Sequence, residues 1–303
     1  RQLLFTVESL EELELINQRA GVLGKTAAVA IRVNPDVDPK PHPYISTGLK
    51  KNKFGIDTET ALKAYKIARK MKHVRIEGID CHIGSQISEA RPFEDAMQNL
   101  MNLVDLLADA GIKINSLDMG GGLGITYNAE TPPGPDEYAR AIVETAKTRS
   151  LKLILEPGRV IVGNAGILVT RVLYRKPGKD KEFVIADAGM NDLLRPSLYK
   201  AFHAVKPVQQ RAAGSITADL VGPICESGDF LASERVMADV TAGDLLAVMS
   251  AGAYAYTMSS NYCSRLKVPE VMVKAGEFSV VRERQQYEDL IRGESIPPFL
   301  DAN

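Results

Sequence analysis

Five short apolar runs lie within the first 160 residues, and stretches of helical pattern separate each from the next. They are residues 3–7, 27–33, 74–83, 114–119 and 151–155. Ser9 and Glu12 form a capping box ahead of a stripe through Leu10, Leu13 and Ile16, with Gly21 the expected stop. Residues 59–71 carry Leu62, Tyr65 and Ile67 at helical spacing. Pro92 opens an amphipathic stretch through Phe93, Met97, Leu100, Val104 and Leu107, which Gly111 ends. A fourth helix is expected over 135–148, between the fourth and fifth runs. Strands joined by helical crossovers run parallel, so the pattern demands a parallel sheet, doubly wound or closed into a barrel. In both, chemistry gathers at the carboxyl ends of strands.

Three successive runs end in polar, site-like sequences: His82-Ile-Gly-Ser85, Gly120-Gly121-Gly122 and Glu156-Pro-Gly-Arg159. Site motifs on successive strands favour a barrel over a single switch point. A closed eight-stranded barrel would need about three more strands than are counted here. The chain starts at Arg1 and runs straight into a strand, so it reads as a fragment whose N-terminal part is missing.

Beyond Gly163 the texture changes. Residues 167–174, 182–186, 218–221, 245–249 and 271–274 read as strands without matching helices, separated in part by turns at Lys176-Pro-Gly178 and Gly222-Pro223. A helix is expected over 283–292, ending at Gly293. The division is therefore a (β/α) unit over 1–163 and a mainly β domain, sandwich or barrel-like, over 164–303. The net charge of −1 comes without a run of one sign, which argues against a nucleic-acid surface. No apolar run approaches the roughly 20 residues of a membrane span. Cys81, Cys225 and Cys263 are odd in number and lack metal-ligand spacing. They point to reduced thiols in the cytoplasm and to no metal.

The glycine triplet follows a strand, where bare backbone lets N–H groups converge on an anion such as phosphate. Singly, the polar residues have ordinary explanations. His82 suits a satisfied imidazole, Glu156 a helix-start carboxylate and Arg159 an ion-pair partner. Cys225 suits a small buried hydrophobe and Tyr254 strand packing. Their order along the chain is less ordinary.

Lys53-Phe-Gly55, His82-Ile-Gly-Ser-Gln86, Asp118-Met-Gly-Gly-Gly-Leu-Gly124, Glu156-Pro-Gly-Arg159, Arg195-Pro-Ser-Leu-Tyr199, Cys225-Glu-Ser-Gly-Asp229 and Gly252-Ala-Tyr254 together span residues 53–254. In this order they resemble the fold-type III, pyridoxal-phosphate-dependent basic amino-acid decarboxylases. The resemblance implies a (β/α)8 TIM-like barrel followed by a β domain, in a head-to-tail homodimer with shared active sites. Within the family it is to the members that decarboxylate meso-diaminopimelate to L-lysine, the last step of lysine biosynthesis. It implies that Glu156 pairs with the cofactor's ring nitrogen and that His82 stacks on the ring. Ser85, Gly121, Gly122 and Tyr254 would hold the phosphate, helped by Pro157, Gly158 and Arg159. Arg159, Arg195 and Tyr199 would grip the substrate's distal carboxylate and Glu226 its distal ammonium, and Tyr254 would also touch the substrate. Cys225 would return a proton to Cα, reaching in with Glu226 from the partner subunit.

One element of the family pattern has no match. The Schiff-base lysine lies there in a Tyr-Ala-Val-Lys-Ala-like strand, and Lys50, Lys51 and Lys53 are not in that setting, so the lysine is expected upstream of Arg1. Three alternatives remain beside this reading. An alanine-type racemase would carry arginine at the ring nitrogen, where Glu156 stands. An ornithine- or arginine-type decarboxylase would carry Asp in place of Glu226. A non-catalytic paralogue would act by binding a partner.

Overall fold

The computed structural model describes residues 3–37, 53–210 and 214–300. The Pro- and Gly-rich loop expected before Lys53, with Lys50 and Lys51, lies largely outside these. The chain divides into two compact units, Arg1–Gly163 and Asn164–Asn303.

In the first unit, β1 (Leu4–Val7), β2 (Ala27–Arg32), β3 (Val74–Asp80), β4 (Ser116–Asp118) and β5 (Lys152–Ile154) form one parallel sheet in the order β1-β2-β3-β4-β5. Each strand lies beside its sequence neighbour and the order never reverses. That is the wall of a TIM-like barrel, whereas a doubly wound sheet would have a switch point. Helices α1 (Leu10–Val22), α2 (Thr58–Ala68), α3 (Arg91–Asp109) and α4 (Pro135–Thr148) make the crossovers. Ser9 Oγ caps α1 by accepting the Glu12 N–H, while Glu12 Oε2 reaches back to the N–H of Glu8, one residue before the cap. Asp57 caps α2 through the Thr60 N–H.

Gly21 does not stop α1 as expected. It lies inside the helix, where a Cβ would meet the His73 ring at 2.9 Å, and Gly24, with φ +60°, follows the helix end instead. The five residues of β2 from Ala27 to Ile31 are all buried. Ala27, Val29 and Ile31 pack with Leu13, Tyr65, Leu100, Leu107 and Ile142 into a continuous core between sheet and helices. Phe93 on α3 is fully buried and meets Tyr138 of α4 edge to face, centroids 4.7 Å apart.

The second unit is mainly β. After the short helix α5 (Arg159–Val162), which closes the first unit, β6 (Leu168–Pro177), β7 (Glu182–Ala186), β8 (Val205–Pro207), β9 (Ser215–Val221), β10 (Phe230–Ala238) and β11 (Leu245–Val248) form a mixed sheet in the order β10-β9-β7-β6-β11-β8. A short helix, α6 (Arg195–Tyr199), interrupts them. Val172, Val184, Leu220, Leu231 and Val248 form its core. A separate hairpin pairs β12 (Glu270–Lys274) with β13 (Glu277–Arg282).

Strands β8, β10 and β13 were not expected. In β10 the central Ser233-Glu234-Arg235 hides the alternation. One register shift precedes it, a second runs through it and Glu234 has φ +48°, so no strict period of two survives. The expected helix over 283–292 reduces to the single turn α7 (Tyr287–Leu290), which starts late because Gln286 is its cap, with its N–H donating to Asp289 Oδ2 at 2.8 Å.

Emptying the Phe93 site would leave a cavity at the α3–α4 contact. Phe93→Ala should therefore lower stability by about 3–5 kcal/mol, read as a shift in the urea unfolding midpoint. A loss below about 1 kcal/mol would mean that the site collapses freely.

Candidate active site

Register fixes the first group of side chains. Parallel pairing sets Asp80 opposite Asp118, and Asp118 opposite Ile154, at the carboxyl ends of β3, β4 and β5. The backbones then stay in contact beyond the strands. Cys81 N–H donates to the Asp118 carbonyl, Met119 N–H to Ile154 and Glu156 N–H to Gly120. As a result Asp80, Asp118 and Glu156 bring carboxylate oxygens within 4.8 Å of one another. Asp80 and Asp118 are buried, and Glu156 is exposed.

The glycine triplet is what allows this approach. A Cβ on Gly121 would lie closer than 3.0 Å to the Glu156 carbonyl oxygen, and one on Gly122 equally close to that of Gly84. Gly120 N–H donates to Asp118 Oδ1 at 2.9 Å and Gly121 N–H to His82 Nδ1 at 3.1 Å. In this structure the Gly121 N–H is therefore occupied by the imidazole. Because Nδ1 accepts, the neutral ring carries its proton on Nε2. Burial, then the nearby Arg32 guanidinium, pushes the His82 pKa down to about 4, so the ring is uncharged at neutral pH.

Burial also drives the Asp80 pKa up from 3.8 to about 7, reinforced by Asp118 and opposed by Arg32. The Asp118 pKa is raised too, mainly by burial. Sequence reasoning missed the support for this group. Arg32 Nη1 pairs with Glu8 Oε1 at 2.6 Å, and its Nε lies 3.8 Å from Asp80 Oδ2. Glu8 Oε2 accepts the Gly55 N–H at 2.6 Å, and the guanidinium sits 4.9 Å from the Phe54 ring centroid. The available signal was a lone arginine ending an otherwise apolar strand.

Arg159 starts α5 and is buried. Its Nη1 donates to the Tyr127 hydroxyl at 2.6 Å and its Nη2 to Ser85 Oγ at 2.8 Å. This joins two expected residues and adds Tyr127, which was not singled out. Gln86 was quoted without a role. Its amide exchanges hydrogen bonds with both backbone groups of Ile125, latching the two loops together. Pro157 and Gly158 are exposed between Glu156 and Arg159.

In the second unit, Arg195 at the first position of α6 is buried, with Nη1 2.8 Å from His203 Nε2. Tyr199 closes the same helix, half-buried, and Ser197 Oγ ties the helix to the Gly228 carbonyl. That carbonyl belongs to the loop bearing Cys225 and Glu226, both exposed. Asp229 shapes the loop by accepting the Ile224 and Met190 N–H groups, both at 2.6 Å. Glu226 Oε2 accepts from the Tyr262 hydroxyl at 2.7 Å. Tyr254 lies in a turn outside the strands, with φ +59°, and is 43% exposed.

The crowded carboxylates give a pH signature. The unfolded chain releases the Asp80 proton near 3.8 and the folded chain near 7, so stability falls as pH rises from about 4 to about 7 and levels off above. Asp80→Asn removes this loss. In the cofactor-free protein, the melting temperature of Asp80→Asn relative to wild type should climb between pH 5 and pH 8. A difference that ignores pH would show that Asp80 does not titrate in that window.

Residues 2–163 match the pyridoxal binding domain of the pyridoxal-dependent decarboxylases. The chain is 49% identical to the diaminopimelate decarboxylase of Aquifex aeolicus, over 99% of this chain and 70% of that one. It is 52% identical to that of Pseudomonas aeruginosa, over 97% of this chain and 71% of that one. The crystal structure of diaminopimelate decarboxylase from Helicobacter pylori complexed with L-lysine superposes with a TM-score of 0.90 at 41% identity. It covers 95% of this chain and 72% of that one. The chain belongs to the pyridoxal-dependent decarboxylase family.

Proposed function

We infer that the protein decarboxylates meso-diaminopimelate to L-lysine and CO2 with pyridoxal 5′-phosphate as cofactor. The gathering of Asp80, Asp118 and Glu156 at three adjacent strand ends carries the reaction class. Such a group calls for a positive partner, and a protonated ring nitrogen is one, whereas a racemase of the alanine type would put arginine there. The substrate follows the relatives, about half identical over nearly the whole chain.

The residues present fit the cofactor. Glu156, backed by Asp80 and Asp118, would hold the proton on the ring nitrogen, and the uncharged His82 would lie against the ring face without opposing that charge. Ser85, Gly122, Gly158, Arg159 and Tyr254 would hold the phosphate, with Pro157 shaping that turn and Gly121, whose N–H goes to His82, leaving room for its approach. Bound there, the cofactor's conjugated pyridinium ring accepts the electron pair left on Cα as CO2 departs.

Arg195 and Tyr199, with Arg159, would hold the distal carboxylate, for which a guanidinium fork is suited. Glu226 would hold the distal ammonium, Tyr254 would also touch the substrate, and Cys225 would deliver the proton to Cα. We assign Cys225 and Glu226 to the site of the partner subunit in a homodimer, and the protein to the cytoplasm. The three cysteines, all free thiols, accord with that compartment. The Schiff-base lysine is assigned to no residue of this chain.

Two substitutions in the complete protein test the reading. Glu156→Gln should lower kcat far more than it weakens cofactor binding by fluorescence titration, since a neutral amide cannot keep the ring nitrogen protonated through the chemical step. Unchanged turnover would remove Glu156 from that role. Arg195→Ala should lower kcat/KM for meso-diaminopimelate roughly 10–150-fold, the worth of a charge-assisted bond. Inhibition by 1,5-diaminopentane, which has no carboxylate, should hardly change. Equal losses for both would make Arg195 structural and reopen an ornithine-type substrate.

A further inference from the structure

We propose that His203 is a positioning residue for substrate recognition: it aims the Arg195 guanidinium that meets the distal carboxylate. The inference rests on the role given to Arg195 above. His203 is completely buried, and both ring nitrogens are engaged. Nδ1 lies 2.8 Å from the Met249 carbonyl oxygen and Nε2 lies 2.8 Å from Arg195 Nη1.

The chemistry of the two neighbours fixes the tautomer. A carbonyl oxygen only accepts, so Nδ1 carries the proton; a guanidinium only donates, so Nε2 offers its lone pair. No other arrangement satisfies both contacts. The imidazole is therefore a neutral, one-way connector between a sheet carbonyl and a buried cation. Histidine and not lysine or a second arginine is required, because the position needs an acceptor toward Arg195 and a donor toward Met249 at once.

The connector is itself rigid. Met249 N–H donates to the Ala204 carbonyl at 2.8 Å, continuing the antiparallel pairing of β8 with β11, so residue 203 enters the sheet where residue 249 leaves it. Arg235 Nη1 donates to the His203 carbonyl at 2.8 Å while its guanidinium lies 3.8 Å from the Phe202 ring centroid. Both the ring and the backbone of His203 are thus held by the sheet. An arginine side chain loses much rotamer freedom when it is fixed, and fixing it before the ligand arrives moves that cost out of binding. His203 does this for Arg195, and Ser197 pins the same helix to the Cys225–Glu226 loop at its other end.

Two near-isosteric variants separate this role from a structural one. In His203→Asn the side-chain amide takes the place of Nδ1, keeping the Met249 contact and abandoning Arg195. In His203→Gln it reaches the place of Nε2, and its carbonyl can accept from Arg195. Both are assayed as the complete holoenzyme beside Arg195→Ala, with melting temperatures to confirm folding. The expected result for His203→Asn is a KM for meso-diaminopimelate raised about tenfold or more, with kcat changed little and the inhibition constant of 1,5-diaminopentane, which has no carboxylate, unmoved. His203→Gln should stay near wild type. If Arg195→Ala discriminates between the two ligands and His203→Asn does not, or if Gln is as damaging as Asn, the role of His203 is overturned. If Arg195→Ala does not discriminate, the reading of the distal site fails and takes this inference with it.

Discussion

Backbone-to-backbone contact among the loops that follow β3, β4 and β5 is the constraint from which the candidate site is built. Any side chain at Gly121 or Gly122 would collide with the carbonyl of Glu156 or Gly84. The cost of this closeness is electrostatic. The same register that lets the loops touch drives Asp80, Asp118 and Glu156 together, and burial first, then the nearby Asp118, makes Asp80 hold its proton to about pH 7. Arg32 offsets only part of it, since its nearer partner is Glu8 and its contact with Asp80 is 3.8 Å.

The loops therefore present charge of both signs. Carboxylates stand at the strand ends, and the Arg159 guanidinium starts α5, directed by Ser85 and Tyr127. Pyridoxal phosphate carries a basic ring nitrogen and a phosphate, which call for a carboxylate and for cationic or N–H donors respectively. Between them the site needs a group that faces an aromatic ring without adding charge. His82 meets that need because burial and Arg32 keep it neutral and the Gly121 N–H fixes its tautomer.

The barrel wall was legible because each of its elements satisfies local and tertiary demands together. Residues 27–31 are apolar and wholly buried, Pro135 opens a helix whose range agrees with its pattern, and Ser9 caps as its spacing implies. Where the two demands part, the sequence misleads. Gly21 has the composition of a stop and the function of a spacer against His73. Strand β10 is polar at its centre because register shifts and the positive φ of Glu234 interrupt its alternation. The candidate site divides in the same way. Residues that meet a ligand sit in short, dense motifs, whereas Arg32, Tyr127 and Tyr262, which hold some of the others in place, are scattered. Each is an ordinary residue whose partner is far away in sequence, and only the fold pairs them.

The second unit shows one device used twice with opposite polarity. The cation of Arg195 is met by a neutral acceptor, His203 Nε2, and the anion of Glu226 by a neutral donor, the Tyr262 hydroxyl. The bond to Glu226 raises the Tyr262 pKa, which keeps the hydroxyl protonated and able to donate. The turn carrying Tyr262 is forced into shape. Cys263 and Ser264 have φ of 54° and 57°, and Asn261 is clamped to the Arg265 carbonyl and to Gln285 Oε1. Side chains rarely adopt that conformation unless their surroundings over-determine it. Each of these two contacts aims its side chain without itself neutralising the charge, and a ligand ending in a carboxylate and an ammonium calls for one charge of each sign.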